Sequence, residues 1–146
     1  MEIIVLTTPT DAVVQACNKL LPQLTMENRS LTLDDLKSVM ASCLFLTAVA
    51  NNEIVGFLLL VTYDTLTGSK ARIEDVVVDE GVRGQGIGEA LLKKAIEEAH
   101  RKSIFTINLT SHPRRGSANR LYQRLGFEKY ETNTYRYNVK ALSLKA

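Results

Sequence analysis

Apolar residues along the chain recur with two different periods, and the switches between them divide the sequence into elements. Residues 2–6 predict an opening strand. Over 11–21 the apolar positions Val13, Val14, Cys17, Leu20 and Leu21 fall at helical spacing, with Thr10 or Asp11 placed to cap the helix. A second helix is expected over 32–42, where Asp34 and Asp35 in the first turn are favoured by the helix dipole. The period then shortens. Residues 44–50 and 53–63 are β-rich apolar runs joined by Asn51-Asn52, a pair that tolerates positive φ and suits a tight hairpin. Thr67, Gly68 and Ser69 signal the next turn, and 71–78 continues as a third strand of an antiparallel meander.

Helical period returns over 88–101, with Leu91, Leu92, Ala95, Ile96 and Ala99 on one face and the pairs Lys93-Glu97 and Lys94-Glu98 opposite. Residues 104–109 read as a strand parallel to 71–78, reached by a right-handed crossover. Residues 115–125 form a further helix ending at Gly126, and 130–139 supplies strand material that returns to the sheet. The fold class is mixed α/β (α+β): a mostly antiparallel central sheet with one parallel β-α-β unit, flanked by helices.

The chain has 146 residues and 16.2 kDa, the size of a single domain covering 1–146. The longest apolar stretch, 54–61, is too short to cross a bilayer, and residues 1–10 lack the basic and apolar regions of a secretory signal. Cys17 and Cys43 stand apart without CxxC spacing and read as small core hydrophobes in a reducing cytoplasm. His100 and His112 are isolated from any Cys or carboxylate cluster, so neither a zinc site nor a serine-histidine hydrolase is expected. Charge is unevenly spread. Residues 1–100 carry 8 Lys/Arg against 14 Asp/Glu, and residues 101–146 carry 10 against 2. The basic part is read as lacking interleaved exposed aromatics and any helix-turn-helix or zinc pattern, so no nucleic-acid partner is expected.

The candidate chemistry sits between the third strand and the long helix, in Arg83-Gly84-Gln85-Gly86-Ile87-Gly88. A glycine-rich turn feeding a helix N-terminus presents free amide groups and a favourable dipole to phosphate oxygens. The loop lacks the Lys-Ser/Thr of a P-loop and follows an antiparallel meander, which disfavours a nucleoside triphosphatase or a dinucleotide-dependent dehydrogenase.

The loop resembles the pattern of the GNAT superfamily of acyl-CoA-dependent N-acyltransferases: Arg or Gln, two residues, Gly, one residue, then Gly or Ala, met by Arg83, Gly86 and Gly88. A second stretch, Ala118-Asn119-Arg120-Leu121-Tyr122-Gln123-Arg124-Leu125-Gly126-Phe127, is similar to that family's helix carrying Leu-Tyr and closing with Gly-Phe. The order of elements agrees over most of the chain, and the first 42 residues agree only in outline. The resemblance implies acetyl-CoA as co-substrate. Its pantetheine arm would pair with the backbone of Val76, Val77 and Val78 like an added strand, and its diphosphate would rest on Arg83, Gly84, Gln85, Gly86, Ile87 and Gly88, with Glu89 in the first helical turn. The backbone N–H near Val78 would support the reacting carbonyl oxygen.

Arg115, Ala118, Asn119 and Tyr122 lie at i, i+3, i+4 and i+7, so they share one helix face. Family members often place a CoA-binding Asn seven residues before the Tyr. Here Arg115 holds that position, and either Arg115 or Asn119 would supply the contact. The resemblance makes Tyr122 the general acid for the departing sulfur. The attacking amine must lose a proton, and Glu74 is the candidate base: in a regular strand it shares a face with Val76 and Val78 while Asp75 points the other way, although a bulge, common nearby in the family, would change that parity. Glu27, Asp34, Asp35, Asp64, Glu74 and Asp75 are candidates for an acidic approach to a cationic amine, small molecule or peptide. A CoA-binding sensor that has lost turnover is the alternative function, and a homodimer sharing the C-terminal strand edge is an open arrangement.

Overall fold

The computed structural model describes residues 1–140. Its elements run β1 (Glu2–Val5), α1 (Asp11–Leu24), α2 (Leu33–Ser42), β2 (Cys43–Ala50), β3 (Glu53–Thr65), β4 (Gly68–Val78), a 3₁₀ turn (Glu80–Val82), α3 (Ile87–Arg101), β5 (Ile107–Asn108) and α4 (Gly116–Arg124). They group into two units, Met1–His112 and Pro113–Ala146, the second described as far as residue 140. No described helix is long and apolar enough to cross a membrane.

In the first unit one sheet has the order β1-β2-β3-β4-β5, antiparallel throughout except for the parallel β4–β5 pair. Asn51 and Asn52 take φ 51° and 62°, the left-handed values that let a two-residue turn match the twist of β2 and β3. Residues alternating along β2 and β3 go to opposite faces. Phe45, Phe57, Leu59 and Val77 face one way and pack with Val13, Cys17 and Leu20 of α1 and Leu36 of α2; Phe45 and Phe57 sit with ring centroids 5.5 Å apart. Leu46, Leu58 and Leu60 face the other way, fully buried, on the side covered by α3 with Leu91, Leu92, Ala95 and Ala99. Each such leucine contributes about 1.5–3 kcal/mol through burial.

Caps fix the helices that flank the first face. Thr10 accepts from the Val13 amide at 3.3 Å, and Thr32 and Asp35 form a reciprocal capping box at 3.1 and 2.9 Å. The Asn18 side chain holds both backbone groups of Leu31, at 2.7 and 3.0 Å, and so ties the α1–α2 connection to α1. Cys17 and Cys43 are free thiols, Cys17 buried and its pKa raised to about 11 by that burial.

Four expectations are corrected. The helix predicted to stop at residue 21 continues through Pro22 to Leu24; the ring lacks only one amide, and Thr25 N–H still reaches the Leu21 carbonyl at 3.0 Å. The strand expected over 104–109 shrinks to Ile107–Asn108, because the chain leaving α3 is still turning: Ser103 has φ 59° and Ile104 N–H closes back on the Ala99 carbonyl at 2.9 Å. On α3, Ile96 is 37% exposed and Glu98 is buried beside Lys94 and Arg101, while Lys93 pairs with Glu89 in place of Glu97. Residues 127–138 form no strand. Tyr130, Tyr135, Tyr137 and Val139 are exposed, and alternation alone supplies no hydrogen-bonding neighbour. The C-terminal strand edge left open for a homodimer is therefore missing among the described residues.

Candidate active site

β4 is paired along its length with β3 but with β5 only at Ala71 and Arg72. From Ile73 to Val78 it runs on beyond that parallel ladder. Asp79 N–H donates to the Val55 carbonyl on β3 at 2.7 Å, so strand alternation turns the amide and carbonyl of Val78 to the side away from β3. Arg83 Nε reaches that carbonyl at 3.3 Å. Opposite Val78 lies Gly56, where an added Cβ would come within 2.9 Å of the Val77 carbonyl oxygen; a side chain there would force β3 and β4 apart.

A bulge sits in the middle of this stretch. Glu74 pairs with Leu59 and Val77 with Phe57, leaving Asp75 and Val76 together opposite Leu58, and Asp75 takes φ 54°. The extra residue reverses the expected parity: Glu74 shares its face with Val77 and not with Val76 and Val78. Glu74 is bonded to Arg72 at 3.2 Å. Burial raises the Asp75 carboxyl above its ordinary value, the Glu74 charge raises it further, and Arg29 opposes both. Arg29, in the α1–α2 connection, also acts on Asp35 and lies 3.8 Å from Glu27. Of the acidic candidates, Glu27, Asp35 and Asp75 each interact with Arg29, and Glu74 acts on Asp75. Asp64 is engaged at the opposite end of β4, accepting from the Ser69 hydroxyl at 2.6 Å.

After β4 the chain makes its 3₁₀ turn and enters the glycine loop. Gly84 and Gly86 have φ 82° and 79°, and nothing lies within 4 Å of the Cβ either would carry, so the need for glycine is conformational. Gly86 is the N-cap of α3 and offers no side chain, and the first helical bond runs from Ala90 N–H to Gly86 at 3.0 Å. The amides of Ile87, Gly88 and Glu89 thus have no acceptor within the helix. Gly88 lies inside the first turn, not in the bend. Glu89, also there, has its charge balanced by Lys93 at 3.2 Å. Just past β5, the Ser111 hydroxyl oxygen is buried without a hydrogen-bond partner among the described residues. An open strand edge leading to uncapped amides and Arg83 fits a diphosphate carrying an amide-bearing arm.

In the second unit Arg115 is the N-cap of α4. The C-terminal end is closed by Gly126 at φ 103° and by Phe127 N–H on the Tyr122 carbonyl at 2.9 Å, with the two rings edge to face, centroids 6.0 Å apart. Tyr122 and Asn119 are half-buried, and Arg120 and Arg124 are exposed. Burial raises the Tyr122 phenol above its ordinary pKa and Arg115 opposes the shift, so the hydroxyl keeps its proton at neutral pH. Sequence reasoning missed Gly56, Ser111 and Gln23, and it named a bulge near Glu74 from the family resemblance without locating it at Asp75. Gly56 and Gln23 depend on partners distant in the chain.

The chain is similar in fold to solved structures over 94% of its length. It superposes on a candidate acetyltransferase from Agrobacterium tumefaciens with a TM-score of 0.84 at 21% identity, covering 94% of this chain and 100% of that one. On a Trypanosoma brucei acetyltransferase the TM-score is 0.77 at 26% identity, covering 94% and 99%. An uncharacterized N-acetyltransferase of Methanocaldococcus jannaschii is 41% identical over 61 residues, 42% of this chain and 27% of that longer relative. Residues 14–127 match the model of the acetyltransferase (GNAT) family, a span that runs from the first turn of α1 past the glycine loop to the Phe127 that closes α4, and the chain therefore belongs to that family.

Proposed function

We propose that residues 1–146 form one N-acetyltransferase domain, which moves the acetyl group of acetyl-CoA directly to a primary amine of a small molecule or peptide without a covalent enzyme intermediate. The observation that carries this reading is a strand that leaves its parallel partner after Arg72 and leads, through a 3₁₀ turn and the glycine loop, to a helix start with no capping side chain. In this reading the main chain of Val76, Val77 and Val78 pairs with the pantetheine arm, while Arg83, Gly84, Gln85, Gly86, Ile87, Gly88 and Glu89 surround the diphosphate. Arg115 or Asn119 adds a polar contact from α4.

The reaction forms a C–N bond and breaks a C–S bond, so one proton leaves the amine and one reaches sulfur. Tyr122 supplies the second. A phenol near pKa 10 giving its proton to a thiolate near 8.5 is mildly uphill, and an apolar surround that raises the phenol raises the thiolate as well. Glu74 takes the first proton, directly or through water, and the neighbouring Asp75 and the Arg29-linked carboxylates favour a cationic acceptor. Val78 N–H supports the carbonyl oxygen as charge develops there. The test is free-thiol release from acetyl-CoA across a panel of amines, with calorimetry of CoA binding beside it. Amine-dependent release is expected. Saturable CoA binding without release for any amine would make the chain a sensor, and no saturation at all would overturn both readings.

A further inference from the structure

Gln23 ends α1 with both ends of its amide occupied by residues more than fifty positions away. Its Nε2 donates to Asp79 Oδ1 at 3.0 Å, and its Oε1 accepts from the Glu80 backbone N–H at 2.9 Å. At neutral pH a primary amide of this length donates and accepts at once, whereas an ionised Glu only accepts and Lys only donates. The residues it grips form the doorway to the glycine loop. Asp79 is bound to β3 through its N–H on the Val55 carbonyl at 2.7 Å and to the 3₁₀ turn through Val82 N–H on its own carbonyl at 3.0 Å. The Gln23 amide is also the main cause holding the Asp79 carboxyl below its ordinary range.

Beyond this doorway Arg83 Nε holds the Val78 carbonyl at 3.3 Å, and buried Ile87 and Leu91 anchor the start of α3. Gly84 and Gly86 take left-handed conformations between these anchors, so the path from Val82 to α3 starts from the Gln23 clamp and is held along its way by Arg83. We infer that Gln23 is a positioning residue: it sets where the glycine loop presents its amides to the diphosphate and links α1, with the Asn18-bound connection to α2, to that loop. Because a coupling between two binding regions is reciprocal, a ligand that shifts the α1–α2 connection changes the affinity for CoA by the factor that CoA changes its own.

The inference rests on the CoA reading, and the experiment separates the two. CoA and pantetheine, which lacks the diphosphate, are titrated by NMR into the full chain and into Gln23→Ala. The expected result is CoA affinity weakened about 5- to 30-fold with pantetheine affinity changed less than about twofold. A merely structural loss would weaken both alike, and either that result or unchanged CoA affinity would overturn the assignment. Gln23→Glu provides the second measurement. When protonated, its carboxyl can again donate to Asp79 and accept from Glu80, so CoA affinity relative to the parent chain should recover as pH falls through the carboxylate range; a pH-independent deficit would count against the clamp. Failure of the parent chain itself to bind CoA would instead remove the proposed function.

Discussion

The two sides of β4 are built to opposite rules. Toward β3 it is paired from Gly68 to Val78 over a buried layer that includes Leu58 and Leu60; toward β5 the ladder stops after two residues. The first side spends its backbone groups on the fold, and the second leaves them open to the guest proposed above. Stability and binding in this sheet thus fall on the same strand but on different edges of it, which makes them separable by substitution.

The largest expected effects lie in the chemistry and leave the paired edge alone. Tyr122→Phe should lower turnover by roughly 10²- to 10⁴-fold with CoA affinity nearly unchanged, measured by steady-state thiol release; an unaltered turnover number removes the phenol from proton transfer. Glu74→Gln should cost up to about 10²-fold and flatten the acidic limb of the rate profile, and a parent-like pH profile would dismiss it as base. Attacking the closed side reverses the outcome. Leu58→Ala should destabilise the fold by about 2–5 kcal/mol in urea unfolding, with CoA still bound by the molecules that remain folded. Gly86→Ala strains a left-handed residue by about 1–2 kcal/mol and should weaken CoA binding far more than it lowers the melting temperature.

The smallest effect is in the pH dependence of stability. Asp79 is held low chiefly by Gln23, so its contribution is present above the unfolded value near pH 3.9 and is lost as pH falls through the folded one. Asp75 is raised by burial and has the opposite sign: it favours the fold below that unfolded value and costs stability once pH passes the folded one. Asp75→Asn should therefore raise the neutral-pH melting point by no more than a few degrees, and Asp79→Asn should not.

What the sequence made legible were the features that need a particular residue type. Asn51-Asn52, Gly84, Gly86 and Gly126 adopt the left-handed conformations their identities suggest, and the caps at Thr10 and Thr32 follow from side chains that reach their own backbone. A bulge near Glu74 was implied by the family resemblance, but its place at Asp75 was not legible, since it arises from the register between β3 and β4. Glu74 follows the bulged parity and not that of a regular strand. Residues 130–139 alternate like a strand, yet pairing needs an available neighbour, which no local pattern announces. Gln23 carries no motif at all, because its partners follow 56 and 57 positions later.

An open strand edge makes few demands on composition. At Val76 and Val78 any residue that keeps the backbone extended leaves the same amides and carbonyls exposed, so these positions can drift during evolution without eroding what the main chain recognises. A lineage built on such an edge can retain its architecture while its letters are almost wholly replaced.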